Sequence, residues 1–238
     1  MFLKKKSKIR PGDVPEPEFP VLEGMPYEEY LALCHDRLKP RTYLEIGTES
    51  GKSLVPARGH CIAIDPEFKI SHDVAANKSS LFLFQGPSDD FFASNYMDRN
   101  AFKIDFAFLD GMHLFEFLLR DLINTERHVS GTDATVMMHD CLPFSRQIAL
   151  RTWDTDINLS WTGDVWKLIP IIARYRPDIE MKVLDCPPTA LVQLRGLDPN
   201  STVLSDNYDA IVGEFMNETL DSFGVEEFLN LFELSATS

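Results

Sequence analysis

The sequence predicts an α/β fold, a doubly wound sheet of seven strands that is mostly parallel, with one antiparallel strand near the C-terminus. Three observations carry that expectation. Short apolar runs alternate with amphipathic helical stretches, the pattern of a parallel sheet with helices packed on both faces. Each of the first five runs ends at or shortly before polar, mostly acidic residues, at the edge where open α/β sheets take their ligands. The last two runs are joined only by a short connection through Pro187-Pro188, which suits a hairpin and not a crossover.

Taken in order, the chain opens with Lys4-Lys5-Lys6 and then Pro11, Pro15, Pro17 and Pro20 among acids, which reads as an extended arm over residues 1–24. No apolar run of signal-peptide length follows the lysines, and no segment is apolar enough to span a bilayer. The expectation is a cytoplasmic protein without membrane insertion. Residues 25–238 read as a single domain with a helical C-terminal extension. Tyr27–Leu38 spaces Tyr27, Tyr30, Leu31, Leu33 and Leu38 helically and stops before Pro40. Strands are expected at Tyr43–Ile46, Cys61–Ile64, Leu81–Gln85, Asp105–Leu109, Thr135–Met138, Lys182–Leu184 and Ala190–Leu194. Helices are expected at Phe115–His128 and Val165–Tyr175, with two more between Asn207 and Leu234, broken near Gly224.

The composition narrows the function. A chain of 238 residues, 44% apolar and 25% charged, buries a sizeable core without disulfides or metal. Its net charge of −14 leaves no excess of Lys and Arg for phosphates, so nucleic acid is not an expected partner. Cys34, Cys61, Cys141 and Cys186 lie far apart and form no CxxC pair, so they read as reduced, buried residues.

The most informative stretch is Tyr43-Leu-Glu-Ile-Gly-Thr-Glu-Ser-Gly51-Lys-Ser53, an apolar strand that turns tightly through two glycines toward a helix. Gly51-Lys52-Ser53 fits the end of a phosphate-binding loop, but the position of its first glycine is Ile46, so the loop from Gly47 is one residue short. The dinucleotide fingerprint also fails, and Glu49 would repel a pyrophosphate. A ligand with a diol, an ammonium group and a sulfonium suits the acids better. Glu45 ends the first strand, Asp65 the second, Ser88-Asp89-Asp90 follow the third, Asp110 ends the fourth and Asp140 the fifth. A single acid there reads as a helix cap; the whole series reads as a site.

Together with Ala63-Ile-Asp-Pro66, Gln85-Gly-Pro-Ser-Asp89 and Leu109-Asp-Gly-Met-His113, the glycine turn resembles the Rossmann-like class I S-adenosylmethionine-dependent methyltransferases, within their small-molecule O-methyltransferase-like branch. The likeness spans roughly Tyr43 to Leu194. It implies S-adenosyl-L-methionine as cofactor, held by Glu45 and the Gly47 and Gly51 backbone at its methionine part. It further implies Asp65 on the ribose hydroxyls, Ser88 and Asp89 beside the adenine, and Asp110 facing the methionine and substrate. Glu49, where the family often has glycine, and the short turn before Pro56 depart from that pattern.

Methyl transfer to a hydroxyl needs an aligned acceptor and a destination for its proton. Asp110, His113 and Asp140 are the candidate catalytic residues, with His113 as general base. Asp110, His139 and Asp140 stand where metal-dependent relatives hold a divalent cation such as Mg²⁺, although Cys141 replaces the amide found in catechol-type enzymes. Trp161, Asp164 and Lys167 are substrate-site candidates, with Asp164 also a natural cap for the helix that follows it. The expected partner is a small-molecule acceptor, a sugar or secondary metabolite, and a homo-oligomer is compatible with the sequence. Two other readings keep the fold: a catalytically silent methyltransferase-like interaction protein, and a hydroxylase of the antibiotic-pathway type.

Overall fold

The computed structural model describes residues 16, 18–152 and 160–237. Lys4, Lys5, Lys6, Pro11, Pro15 and Pro17 of the expected arm lie outside the described residues.

The elements run α1 (Tyr27–Leu38), β1 (Thr42–Ile46), β2 (His60–Asp65), β3 (Ser80–Gln85), α2 (Ser88–Ala93), α3 (Tyr96–Arg99), β4 (Phe106–Leu109), α4 (Phe115–Glu126) and β5 (Thr135–His139). They continue with a 3₁₀ turn at Val165–Lys167, α5 (Leu168–Tyr175), β6 (Glu180–Leu184), β7 (Leu191–Arg195), α6 (Val203–Asp206), α7 (Tyr208–Phe215), α8 (Leu220–Phe223), α9 (Val225–Leu229) and β8 (Leu234–Ser235). All seven expected strands are present. They form one sheet in the order β3-β2-β1-β4-β5-β7-β6-β8, in which β7 alone runs antiparallel to its neighbours. The eighth strand pairs Leu234 with Val183 at the sheet edge, where the sequence suggested the end of a helix.

Burial on both faces explains why the central strands read as unbroken apolar runs, since β1, β4 and β5 are buried along their whole length. One face carries Leu44, Ile46, Ile62, Ile64, Leu109, Val136 and Met138 under α2, α4, α5 and the C-terminal helices. The other carries Tyr43, Cys61, Ala63, Phe106, Phe108 and Met137 under α1, Leu54, Ala57 and Val74. Helices were expected on both faces, and here the outcome is uneven. Among the described residues α1 is the one helix that packs on the second face. The glycine turn does not open into a helix, because the connection from Gly47 to Gly59 holds three glycines and Pro56 and folds as successive turns.

Smaller departures have local causes. Pro170 is the third residue of α5, a place where no intrahelical N–H is needed, and the turn before it tightens to 3₁₀. Between Asn207 and Leu234 the tail forms three short helices where two were expected, with Gly224 at φ 93° separating α8 from α9, and α6 precedes them. The arm is anchored at Glu16, Glu18 and Phe19. Phe19 is buried in the core, and Arg146 binds Glu16, Glu18 and Asp221. The four cysteines are free and buried. No helix among the described residues is long and apolar enough to cross a membrane.

His35 on α1 yields a stability test. It is 4% exposed, sits edge-on to Tyr43 and Phe106 at 4.4 and 5.0 Å, and neither ring nitrogen has a partner. Burial, helped by Lys78 and Arg58, pushes its pKa from 6.5 down to about 3. The unfolded chain takes up this proton near pH 6.5 while the folded chain refuses it, so stability falls as pH drops from 6.5 toward 3. Urea unfolding at stepped pH is expected to show a shallower acid loss in His35→Leu than in wild type. Identical slopes would remove His35 from the account.

Candidate active site

The chain leaves β1 toward β2 and β3, then returns to β4 on the other side of β1. The order therefore reverses between β1 and β4, and the crevice at their carboxyl ends is the fold's natural ligand position. Gly47 makes it possible for these ends to meet. At φ 86° it lies so close to β4 that a Cβ would fall 1.9 Å from the Asp110 carbonyl oxygen. Gly51, also left-handed, packs instead beneath Val74 and Ile70 of the β2–β3 connection. Asp65 clamps the turn, with Oδ2 accepting from Glu49 N at 2.7 Å and Oδ1 from Glu67 N at 2.7 Å. Each oxygen keeps a lone pair for a further donor.

At the ends of β4 and β5 two carboxylates and two imidazoles converge. Parallel pairing of Leu109 with Met138 sets Asp110 beside His139 and Asp140. His139 Nδ1 lies 3.3 Å from an oxygen of each acid. His113 Nε2 approaches Asp140 at 3.3 Å and Asp110 at 3.5 Å, while its Nδ1 lies 2.8 Å from the Trp161 carbonyl oxygen. Asp140 adopts a left-handed φ of 61° and accepts the Thr189 hydroxyl at 2.5 Å. Burial disfavours every charge here, but mutual attraction wins. The histidines hold both acids below the ordinary carboxylate range, and the acids raise His139 well above its usual value and His113 to about 9.

This donor set fits a divalent cation. One atom each from Asp110, His139 and Asp140 lie within 4.8 Å of one another, and oxygen with imidazole nitrogen suits Mg²⁺ or a first-row metal. Two neighbouring carboxylates at 20% and 11% side-chain exposure require positive charge, from imidazolium or from an ion.

Other sequence candidates meet different surroundings. Glu45 is fully buried, its oxygens taken by the Tyr43 hydroxyl at 2.6 Å and the Ser53 hydroxyl at 3.1 Å, and burial lifts its pKa to about 7. Asp89 is held by Arg120, which also contacts the Tyr208 hydroxyl. Ser88 donates to Asp121 at 2.5 Å, a buried carboxyl on α4 that sequence reasoning passed over. In the sequence it stands among Leu118, Leu119 and Leu122, with no local motif that points to its partner Ser88.

Trp161 is half-buried with its ring 5.4 Å from that of His113. Asp164 and Lys167 are not open to a substrate among the described residues. Asp164 does not cap the turn that follows it. Its Oδ1 accepts from Phe115 N at 2.9 Å, capping α4 where Leu114 offers no side-chain oxygen. Its Oδ2 accepts from Arg151 and from Lys167, both at 2.7 Å, and Lys167 is wholly buried. This strap presses on the site, since a Cβ on Gly163 would strike the His113 carbonyl oxygen at 1.7 Å.

No protein-family model and no curated protein matches the chain. Solved structures do share its fold. The methyltransferase PaMTH1 from Podospora anserina, bound to S-adenosylhomocysteine, superposes with a TM-score of 0.51 at 14% identity over 72% of this chain and 78% of its own. An O-methyltransferase from Bacillus cereus, also in complex with S-adenosylhomocysteine, gives 0.51 at 14% identity over 78% and 84%. The O-methyltransferase TomG from Streptomyces achromogenes, involved in tomaymycin synthesis and solved with S-adenosylmethionine, gives 0.50 at 16% over 71% and 79%.

The buried strap can be tested by itself. Asp164→Ala strands the Lys167 ammonium and uncaps α4, and is expected to cost about 3–5 kcal/mol in urea unfolding. Asp164→Asn, which keeps the cap oxygen, is expected to cost less. A loss below about 1 kcal/mol for Asp164→Ala would match an ordinary surface change and contradict this role.

Proposed function

We propose that the chain is an S-adenosylmethionine-dependent methyltransferase that methylates a hydroxyl of a small molecule, a sugar or secondary metabolite, in the cytoplasm. The observation that carries this reading is the meeting of Asp110, His113, His139 and Asp140 directly beside the glycine turn, at the switch point of the sheet. The shared fold of methyltransferases crystallised with this cofactor or its product supports it.

In this reading Asp65 takes both ribose hydroxyls on the lone pairs its backbone bonds leave free, and Ser88 lies toward the adenine. The Gly47 backbone lines the methionine part. Asp89 contributes through Arg120 to the wall of the pocket, and Glu45 fixes the strand beneath the turn through Tyr43 and Ser53. The acceptor oxygen attacks the methyl carbon as the carbon–sulfur bond breaks, leaving the neutral thioether S-adenosylhomocysteine. His113, raised to about 9 by the two acids, can take the acceptor's proton at Nε2 only in its neutral form, with Nδ1–H donating to the Trp161 carbonyl. A divalent ion held by Asp110, His139 and Asp140 would lower the pKa of the acceptor hydroxyl and supply charge that the imidazolium groups otherwise provide. Trp161 forms a side of the acceptor pocket, whereas Asp164 and Lys167 support it from below.

Calorimetric titration with S-adenosylhomocysteine is the test. Wild type is expected to bind, and Asp65→Ala to bind at least about 10-fold more weakly, the loss of roughly one charge-assisted hydrogen bond, with circular dichroism unchanged. A wild-type chain that binds neither cofactor nor product would favour the silent interaction protein. Unchanged affinity in Asp65→Ala would refute the ribose assignment alone.

A further inference from the structure

His139 is held in an unusual manner. A metal-binding imidazole is ordinarily oriented by a hydrogen bond at the nitrogen that does not bind the metal. His139 directs Nδ1 at Asp110 and Asp140, each at 3.3 Å, but its buried Nε2 has no hydrogen-bond partner. Aromatic rings occupy the place of that bond. The Tyr27 ring lies 4.2 Å from the imidazole at 41°, and Phe108 meets it edge-on at 6.0 Å. Tyr27 and Phe108 are themselves stacked at 6.3 Å, so the imidazole sits in an aromatic slot.

Tyr27 is placed for this by two links. It is the first residue of α1, and its N–H donates to the Pro187 carbonyl at 3.3 Å. Pro187 shares a loop with Thr189, whose hydroxyl donates to Asp140. The neighbouring Glu28 pairs with Lys52 of the glycine turn at 2.5 Å. The start of α1 is thus fastened to the Asp140 side of the site and to the glycine turn.

We propose that Tyr27 is a positioning residue for a divalent-cation site at Asp110, His139 and Asp140, its ring holding the His139 imidazole with Nδ1 turned to the ion. The proposal rests on the cation reading above. It assigns the work to the ring and not to the hydroxyl, because Nε2 takes no hydrogen bond from Tyr27.

Titration of the full chain with Co²⁺, followed by visible absorption, tests it. Tyr27→Phe is expected to match wild type within about twofold in affinity and in spectrum, since the ring remains. Tyr27→Leu is expected to bind about 10–100-fold more weakly with an altered spectrum, the usual effect of removing an outer support of a ligand. Circular dichroism checks the fold, and Tyr27→Met, a flexible filler of similar bulk, serves if the leucine variant does not fold. Wild-type affinity and spectrum in the leucine or methionine variant would overturn the role of Tyr27 while leaving the ion in place. Equal weakening in Tyr27→Phe would overturn the assignment to the ring. Absence of Co²⁺ binding by wild type would overturn the cation reading, and with it this proposal.

Discussion

Two carboxylates set side by side, Asp140 buried and Asp110 partly so, need positive charge within reach, and the site is organised around that need. Asp110 and Asp140 would repel each other strongly in a medium that screens poorly. In the structure His113 and His139 stand between and beside them, both drawn toward the protonated state despite burial. An electrostatic demand of this kind is expensive to maintain for stability alone. A cluster of the same shape stores the ability to accept an ion or a proton, which is why it is read as functional.

The fold meets the demand through backbone contacts. Gly47 lets β1 end against the Asp110 carbonyl, and the left-handed Asp140 returns its carboxylate toward β4. The strap at 161–164 then grips His113 from one side through a carbonyl, a glycine contact and a remote helix cap. The start of α1 closes the other side. Packing, capping and charge therefore act on the same few residues, so a change in the strap or in α1 reaches the site without touching a ligand.

Much of this was legible in the sequence. Apolar runs closed by acids gave the strands and their carboxyl ends, and a ligand crevice follows from a sheet whose order reverses. Asp110, His113, His139 and Asp140 converge as the strand-end pattern suggested. The glycine turn was legible as a turn but not as the start of a helix, since Pro56 and the nearby glycines outweigh the local pattern. Asp164 was misread because its partner, Phe115 N, is 49 residues away, and a local cap motif cannot reveal a remote helix end. The resemblance implies Glu45 at the cofactor, and its nearer partners were not legible. Strand alternation puts Tyr43 on the same face, and that is where its hydroxyl meets the carboxylate. Tyr27 and Asp121 lie within helical periodicity, where a residue that contacts the site and a packing residue look alike.

The most direct measurement is a crystal structure of the protein grown with S-adenosylhomocysteine and Mn²⁺, with anomalous scattering used to find the metal. The expected result is manganese bonded to Asp110, His139 and Asp140, with the ribose on Asp65 and the sulfur facing His113. Nucleoside bound away from the β1–β4 crevice, or metal absent from the paired carboxylates while the imidazoles remain in place, would contradict the account.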